Sequence, residues 1–98
     1  MFLVQRIFTR SNAAVLFYTP TAEFKAHVKA TFVDTQKILS DTSSITEDKL
    51  KLVISTMWKD EASWNEYTSD PVVVTHITTR NAYNTEHNIT DERLTSQV

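Results

Sequence analysis

The chain of 98 residues contains no cysteine and no glycine, and only two prolines. The missing cysteine excludes disulfides, thiolate nucleophiles and cysteine metal sites. The missing glycine excludes the phosphate-cradling loops of Walker and Rossmann type, which need residues without a Cβ at the ligand. Left-handed backbone positions are therefore expected to fall to Asn or Asp. The formal net charge is only -2, so no basic footprint for nucleic acid and no polybasic membrane patch is expected. No apolar run approaches the ~18 residues that span a bilayer. The opening MFLVQRIFTR is interrupted by Arg6 too early for a signal peptide. The expected location is cytoplasmic, or a virion if the chain comes from a phage.

What is present is threonine, fifteen times, and a length that suits a single domain with a modest core. Residues 2–9 alternate as a strand, with Leu3, Gln5 and Ile7 on one face and Phe2, Val4, Arg6 and Phe8 on the other. A second apolar run, AVLFY at 14–18, suggests a hairpin with the first. Thr19-Pro20 reads as a helix start, a threonine cap followed by proline in the first turn. Phe24, His27, Val28 and Phe32 then fall on one helical face. Residues 34–42 suggest a strand and SSITED, 43–48, a turn. KLKLVISTMW, 49–58, is the plainest strand in the chain.

Asp60 is a helix cap with Glu61 in the favoured first turn. Asp70-Pro71 repeats the start signal. The segment that follows, VVVTHITT, holds seven β-branched residues in eight, which favours a strand by propensity. The Asp-Pro start argues for a helix, and helix is the reading adopted. Val72, His76, Thr79 and Tyr83 then make one stripe, with Val73, Ile77 and Arg80 beside it. No last strand is evident beyond that helix. The organisation expected is a single α+β domain over 1–88 and a polar C-terminal arm over 89–98.

The run from Leu52 to Trp58, then Lys59-Asp60, Glu61-Ala62, Tyr67, Asp70-Pro71 and His76, resembles the antibiotic-biosynthesis monooxygenase family. The match covers about a quarter of the chain. The resemblance implies an α+β, ferredoxin-like antiparallel sheet with two helices on one face, paired as a dimeric α+β barrel. With no last strand found, the N-terminal hairpin would fill that edge. The heme-degrading branch of the family uses an Asn on the first strand, a Trp on the second helix and a His farther along. Here His76 matches the histidine, Gln5 or Arg6 falls at the asparagine, and the tryptophan position lies near Glu66, between Trp64 and Tyr67. His76, Gln5 and Trp64 are thus the catalytic candidates that the resemblance implies. Trp58, Trp64, Tyr67 and His76 are the ligand-lining candidates, as in cofactor-free relatives that handle polycyclic phenols.

Heme is a conceivable cofactor because a neutral imidazole ligates iron. Otherwise no cofactor and no metal is expected, since His27 has no acidic or histidine neighbour in helical register. A histidine on an inner helix stripe is more often a packing residue than a ligand, and a tryptophan at a strand end more often core or dimer interface. Two functions compete. One is a small non-catalytic module that forms a homodimer or higher assembly, in the style of a phage virion or tail component. The other is a small monooxygenase or heme- or aromatic-binding barrel. The two altered positions and the missing strand tip the sequence reading toward the first.

Overall fold

The computed structural model describes residues 1–98, and its first strand sets the plan of the molecule. β1 (Phe2–Thr9) lies at the inside of a four-stranded antiparallel sheet. It is followed by α1 (Ala22–Val28), which continues as a π-helical turn over Lys29–Val33. Next come β2 (Ile38–Ile45), β3 (Lys51–Trp58), α2 (Glu61–Ser69), α3 (Pro71–Glu86) and β4 (Thr90–Gln97). The spatial order is β2-β3-β1-β4. The α+β, ferredoxin-like architecture expected from the sequence is the one observed, with the helices on one face of the sheet.

Register decides which residues share a face. Phe2 pairs with Trp58, Val4 with Thr56, Arg6 with Ile54 and Phe8 with Leu52. Because side chains alternate along a strand, these residues all point to the helix side. Phe2, Val4, Phe32, Ile38, Trp58 and Val73 form the buried cluster there, with Phe24, Val28, Trp64, Tyr67 and Ile77 packed against it. The opposite face carries Leu3, Gln5 and Ile7 against Met57, Ser55 and Val53.

The sequence reading fails at both ends of β1's neighbourhood. Residues 90–97 are not an arm but the last strand, paired with β1 from Phe2↔Gln97 to Thr9↔Thr90. Every residue of β4 is exposed, so no hydrophobic alternation betrays it. Backbone pairing holds it, and the chain ends close on each other through Val98 N–H to the Met1 carbonyl at 2.9 Å. With β3 and β4 on either side, β1 has no free edge, so there is no hairpin and no permutation. The AVLFY run is instead part of a connecting loop over 10–21. Arg10 clamps it by donating to the carbonyls of Lys49 (2.8 Å) and Val15 (2.9 Å). The Tyr83 hydroxyl holds its far side by donating to the Leu16 carbonyl at 2.6 Å.

Helix starts follow their side-chain caps. The first is Thr21, accepting from Phe24 N–H at 3.1 Å, two residues after the Thr19 expected. Asp60 accepts from Ser63 N–H at 2.8 Å, and Asp70 from Val72 and Val73 N–H at 2.9 and 3.2 Å. The cap at Asp70 overrides the β-propensity of residues 72–79. Thr75, Thr78 and Thr79 then satisfy their hydroxyls on carbonyls one turn back, at 3.1, 3.0 and 3.0 Å. β2 begins four residues later than expected and continues to Ile45, so part of the presumed turn at 43–48 is strand. Positive φ occurs at Asn88, but also at Gln36 and Lys49, which chemistry alone does not single out.

Candidate functional site

A cavity of about 550 Å³ lies between the helix side of the sheet and the helices. That is within the range of about 300–1,000 Å³ common to small-molecule sites. Fourteen of its 25 lining residues are hydrophobic, which suits a ligand with an apolar body. One wall is aromatic. Trp58 is 1% exposed at the end of β3. Its ring centroid lies 5.7 Å from Trp64 and 5.0 Å from Tyr67, and Phe32 meets it edge-on at 5.9 Å. Trp64 and Tyr67 stack on each other at 5.6 Å, three residues apart on α2. Burial pushes the Tyr67 hydroxyl up to about 12, with Arg80 and Arg6 opposing, so it stays a neutral phenol.

His76 enters from α3. The buried stripe of that helix is Val73 and Asn84 with Ile77 and Arg80 between them, and His76 sits half-buried on its shoulder. Its ring stacks on Phe24 at 3.7 Å and 11°, and Tyr18 of the 10–21 loop lies 5.7 Å away. Burial, then the charges of Arg80 and Arg6, lower its pKa to about 4. The imidazole is therefore neutral at physiological pH. A second recess of about 410 Å³ lies beyond the same Tyr18, Phe24 and His76, so these three rings separate two hollows.

The cavity also holds charge. Four lining side chains are cationic, Arg6, Lys25, Lys29 and Arg80, against a single acid, Asp41. Arg6 and Arg80 are close to the same carboxylate, Asp91 of β4, at 3.0 and 4.0 Å. Burial and the neighbouring Arg6 lower the Arg80 pKa, though a guanidinium keeps its charge at neutral pH. Two buried donors, Trp58 Nε1 and Arg80 Nε, have no hydrogen-bond partner.

Of the residues expected at the site, Trp58, Trp64, Tyr67 and His76 come together in this cavity. Gln5 does not. It lies on the other side of the sheet, where its amide donates to Ser55 Oγ at 3.1 Å. Strand parity explains this: Arg6, its neighbour, faces the cavity, so Gln5 cannot. A carboxamide beside His76, which the heme-degrading pattern requires, is thus absent from the position the sequence suggested. His76 is present without the carboxamide at the Gln5 position, and the residue set does not fit that pattern. His27, which has no acidic or histidine neighbour in helical register, contacts the Asp70 cap of α3 at 2.9 Å. Burial opposes a charged Asp70, but its bonds with His27, Val73 and Val72 hold its pKa below the usual range.

Sequence reasoning missed Tyr18, Phe24 and Arg80 as site residues, and offered Arg6 only as the alternative to Gln5. Arg6 was legible from alternation alone, since it shares a face with Phe2, Val4 and Phe8. Arg80 required knowing which α3 stripe turns inward.

No protein-family model matches the chain, and no curated protein matches it. Solved structures do match its fold. SnoaB of Streptomyces nogalater, described as a cofactor-independent oxygenase, superposes with a TM-score of 0.64 at 20% identity, covering 99% of this chain and 91% of that one. A protein described as an antibiotic biosynthesis monooxygenase gives 0.66 at 11% identity, covering 100% and 98%. A dimeric ferredoxin-like protein from an uncultured marine organism gives 0.63 at 6% identity, covering 99% and 93%. The likeness is one of fold over essentially the whole chain. Neither the fold nor these neighbours lends support to a phage virion or tail component. No helix is long and apolar enough to cross a membrane.

Proposed function

We propose that this chain is a small aromatic-binding barrel that exposes a planar polycyclic phenol to dioxygen without a cofactor. The observation that supports it is the cavity itself: a space of about 550 Å³ walled by Trp58, Trp64 and Tyr67, with a neutral imidazole at one end. Flat aromatic walls favour flat aromatic ligands through offset and edge-on contacts, each adding about 0.5–1.5 kcal/mol beyond burial. The cofactor-independent activity ascribed to SnoaB, a fold neighbour, gives the reading its chemistry. An electron-rich phenol can supply its own electrons. 1-Naphthol and one O₂ balance against 1,4-naphthoquinone and one water, so no external reductant is needed. Heme chemistry is not invoked, because the residue set does not fit it.

The second element of the reading is a homodimer. The open face of the sheet carries Leu3, Ile7, Val53, Met57 and Leu94, and Leu94 is 46% exposed. A second copy laid on this face would cover these apolar side chains, as the description of the marine neighbours as dimeric suggests.

The test is calorimetric titration with 1-naphthol, together with oxygen uptake and native mass. Saturable binding that is weakened by His76→Ala in a folded protein, with oxygen consumed and quinone formed, supports the oxygenase reading. Binding without oxygen uptake reduces it to a ligand carrier, and no binding removes it. A parallel heme titration is expected to leave the Soret band unshifted. A saturable shift lost in His76→Ala would instead restore the heme branch.

A further inference from the structure

We infer that the cavity selects an anionic aromatic ligand, whose acidic group sits at Arg6 and Arg80. This rests on the aromatic-binding reading above and names the class of ligand. The first ground is charge. A chain with net charge -2 places four cations and one acid around a single cavity. Lys29 spends its charge on Asp34 at 3.0 Å. Asp41 is engaged by the Thr56 hydroxyl at 2.9 Å. At the β1–α3–β4 corner, Arg6 and Arg80 share one carboxylate, Asp91, the second at 4.0 Å, and Arg93, which pairs with Arg6 across the strands, lies over the Trp64 ring. Positive charge there exceeds negative.

The second ground is hydrogen bonding. The Arg80 side chain is 11% exposed, and its Nε is buried with no acceptor in the chain. Its other contact, Nη2 to Asn81 Oδ1, is long at 3.4 Å. Trp58 Nε1, on the same cavity, is also without an acceptor. Buried donors left unpaired are costly, and a ligand oxygen bearing negative charge is the strongest acceptor that could satisfy them.

The third ground is what His76 cannot do. An imidazole with a pKa near 4 is too weak a base to hold the proton of a phenol near 10. A ligand used as its anion must therefore be stabilised by fixed positive charge, which the two arginines supply. Their position on the inner face of β1 and the inner stripe of α3 makes them positioning and specificity residues, with the aromatic wall holding the rest of the ligand.

The experiment compares 2-naphthoate with 2-naphthamide, a neutral ligand of nearly the same shape, by calorimetry on the intact protein. Naphthoate is expected to bind at least about tenfold more tightly, the discrimination a charge-assisted hydrogen bond supplies. Arg80→Gln, and independently Arg6→Gln, should erase most of that preference, weakening naphthoate far more than naphthamide. Equal affinity of the two ligands for the unsubstituted protein would overturn the anion site and leave the aromatic cavity standing. Failure of both to bind would overturn the cavity reading with it. A naphthoate preference that survives in folded forms of both variants would remove the arginines as its source.

Discussion

The two faces of the sheet are built from the same strands, one residue apart, and they differ in kind. The helix-covered face holds Phe2, Val4, Arg6 and Phe8, opposite Trp58, Thr56, Ile54 and Leu52. It carries the core, the cavity and the arginines. The open face holds Leu3, Gln5 and Ile7, opposite Met57, Ser55 and Val53, and nothing in the chain covers it. A shift of one residue in register would exchange the two sets. Residue type alone therefore does not locate a site on this fold. Gln5 and Arg6 are both polar and adjacent, yet only Arg6 can meet a ligand lying under α3. The covered face encloses an aromatic cavity that carries charge, and the open face leaves apolar side chains uncovered.

This contrast can be broken most forcefully at Trp58. Trp58→Ala removes the most tightly enclosed aromatic of the covered face and should cost about 3–5 kcal/mol in chemical denaturation. A loss below about 1 kcal/mol would mean that the covered face is not the core. The next effect is pH dependence. The His76 pKa is lowered from 6.5 to about 4 in the folded chain, so the unfolded chain takes up its proton first as the pH falls. Stability should therefore decline between pH 6.5 and 4 and level off below that, as far as His76 is concerned. The ring is only half-buried, so after solvent screening the contribution is on the order of 1 kcal/mol. In His76→Gln that part of the pH profile should vanish, while the acid loss from Asp70 persists at lower pH. A profile unchanged by the substitution would place His76 in water. The smallest effect is expected at Gln5. Gln5→Ala should alter neither ligand affinity nor subunit stability beyond about 0.5 kcal/mol, measured by calorimetry and denaturation. A large loss of affinity would join the two faces into one site.

The sequence was most legible where local chemistry is sufficient. Asp60 and Asp70-Pro71 each start a helix by capping it, and alternation through Trp58 marks β3. Those signals act over a few residues and need no tertiary partner. The failures share the opposite cause. β4 has no apolar face of its own, so its existence depends on the edge that β1 offers. The AVLFY run is apolar but finds no strand to pair with, and Phe17 and Tyr18 line the cavity instead. The His27–Asp70 contact and the Arg6–Asp91–Arg80 group join residues 43 or more positions apart, or across three elements. Four of the five expected site residues meet in one cavity because helix and strand periodicity carried them there. Gln5 failed for the same reason, since periodicity placed it on the other face.

The most direct test of the account uses two side-chain N–H groups, one on each face. In a nitrogen–proton correlation spectrum, Trp58 Nε1–H reports on the cavity and the Gln5 amide on the open face. Titration with 1-naphthol should shift the Trp58 signal, together with those of Trp64 and the α3 backbone around His76, and leave Gln5 in place. Shifts confined to Gln5 and the strand residues of the open face, with the Trp58 signal unmoved, would contradict it.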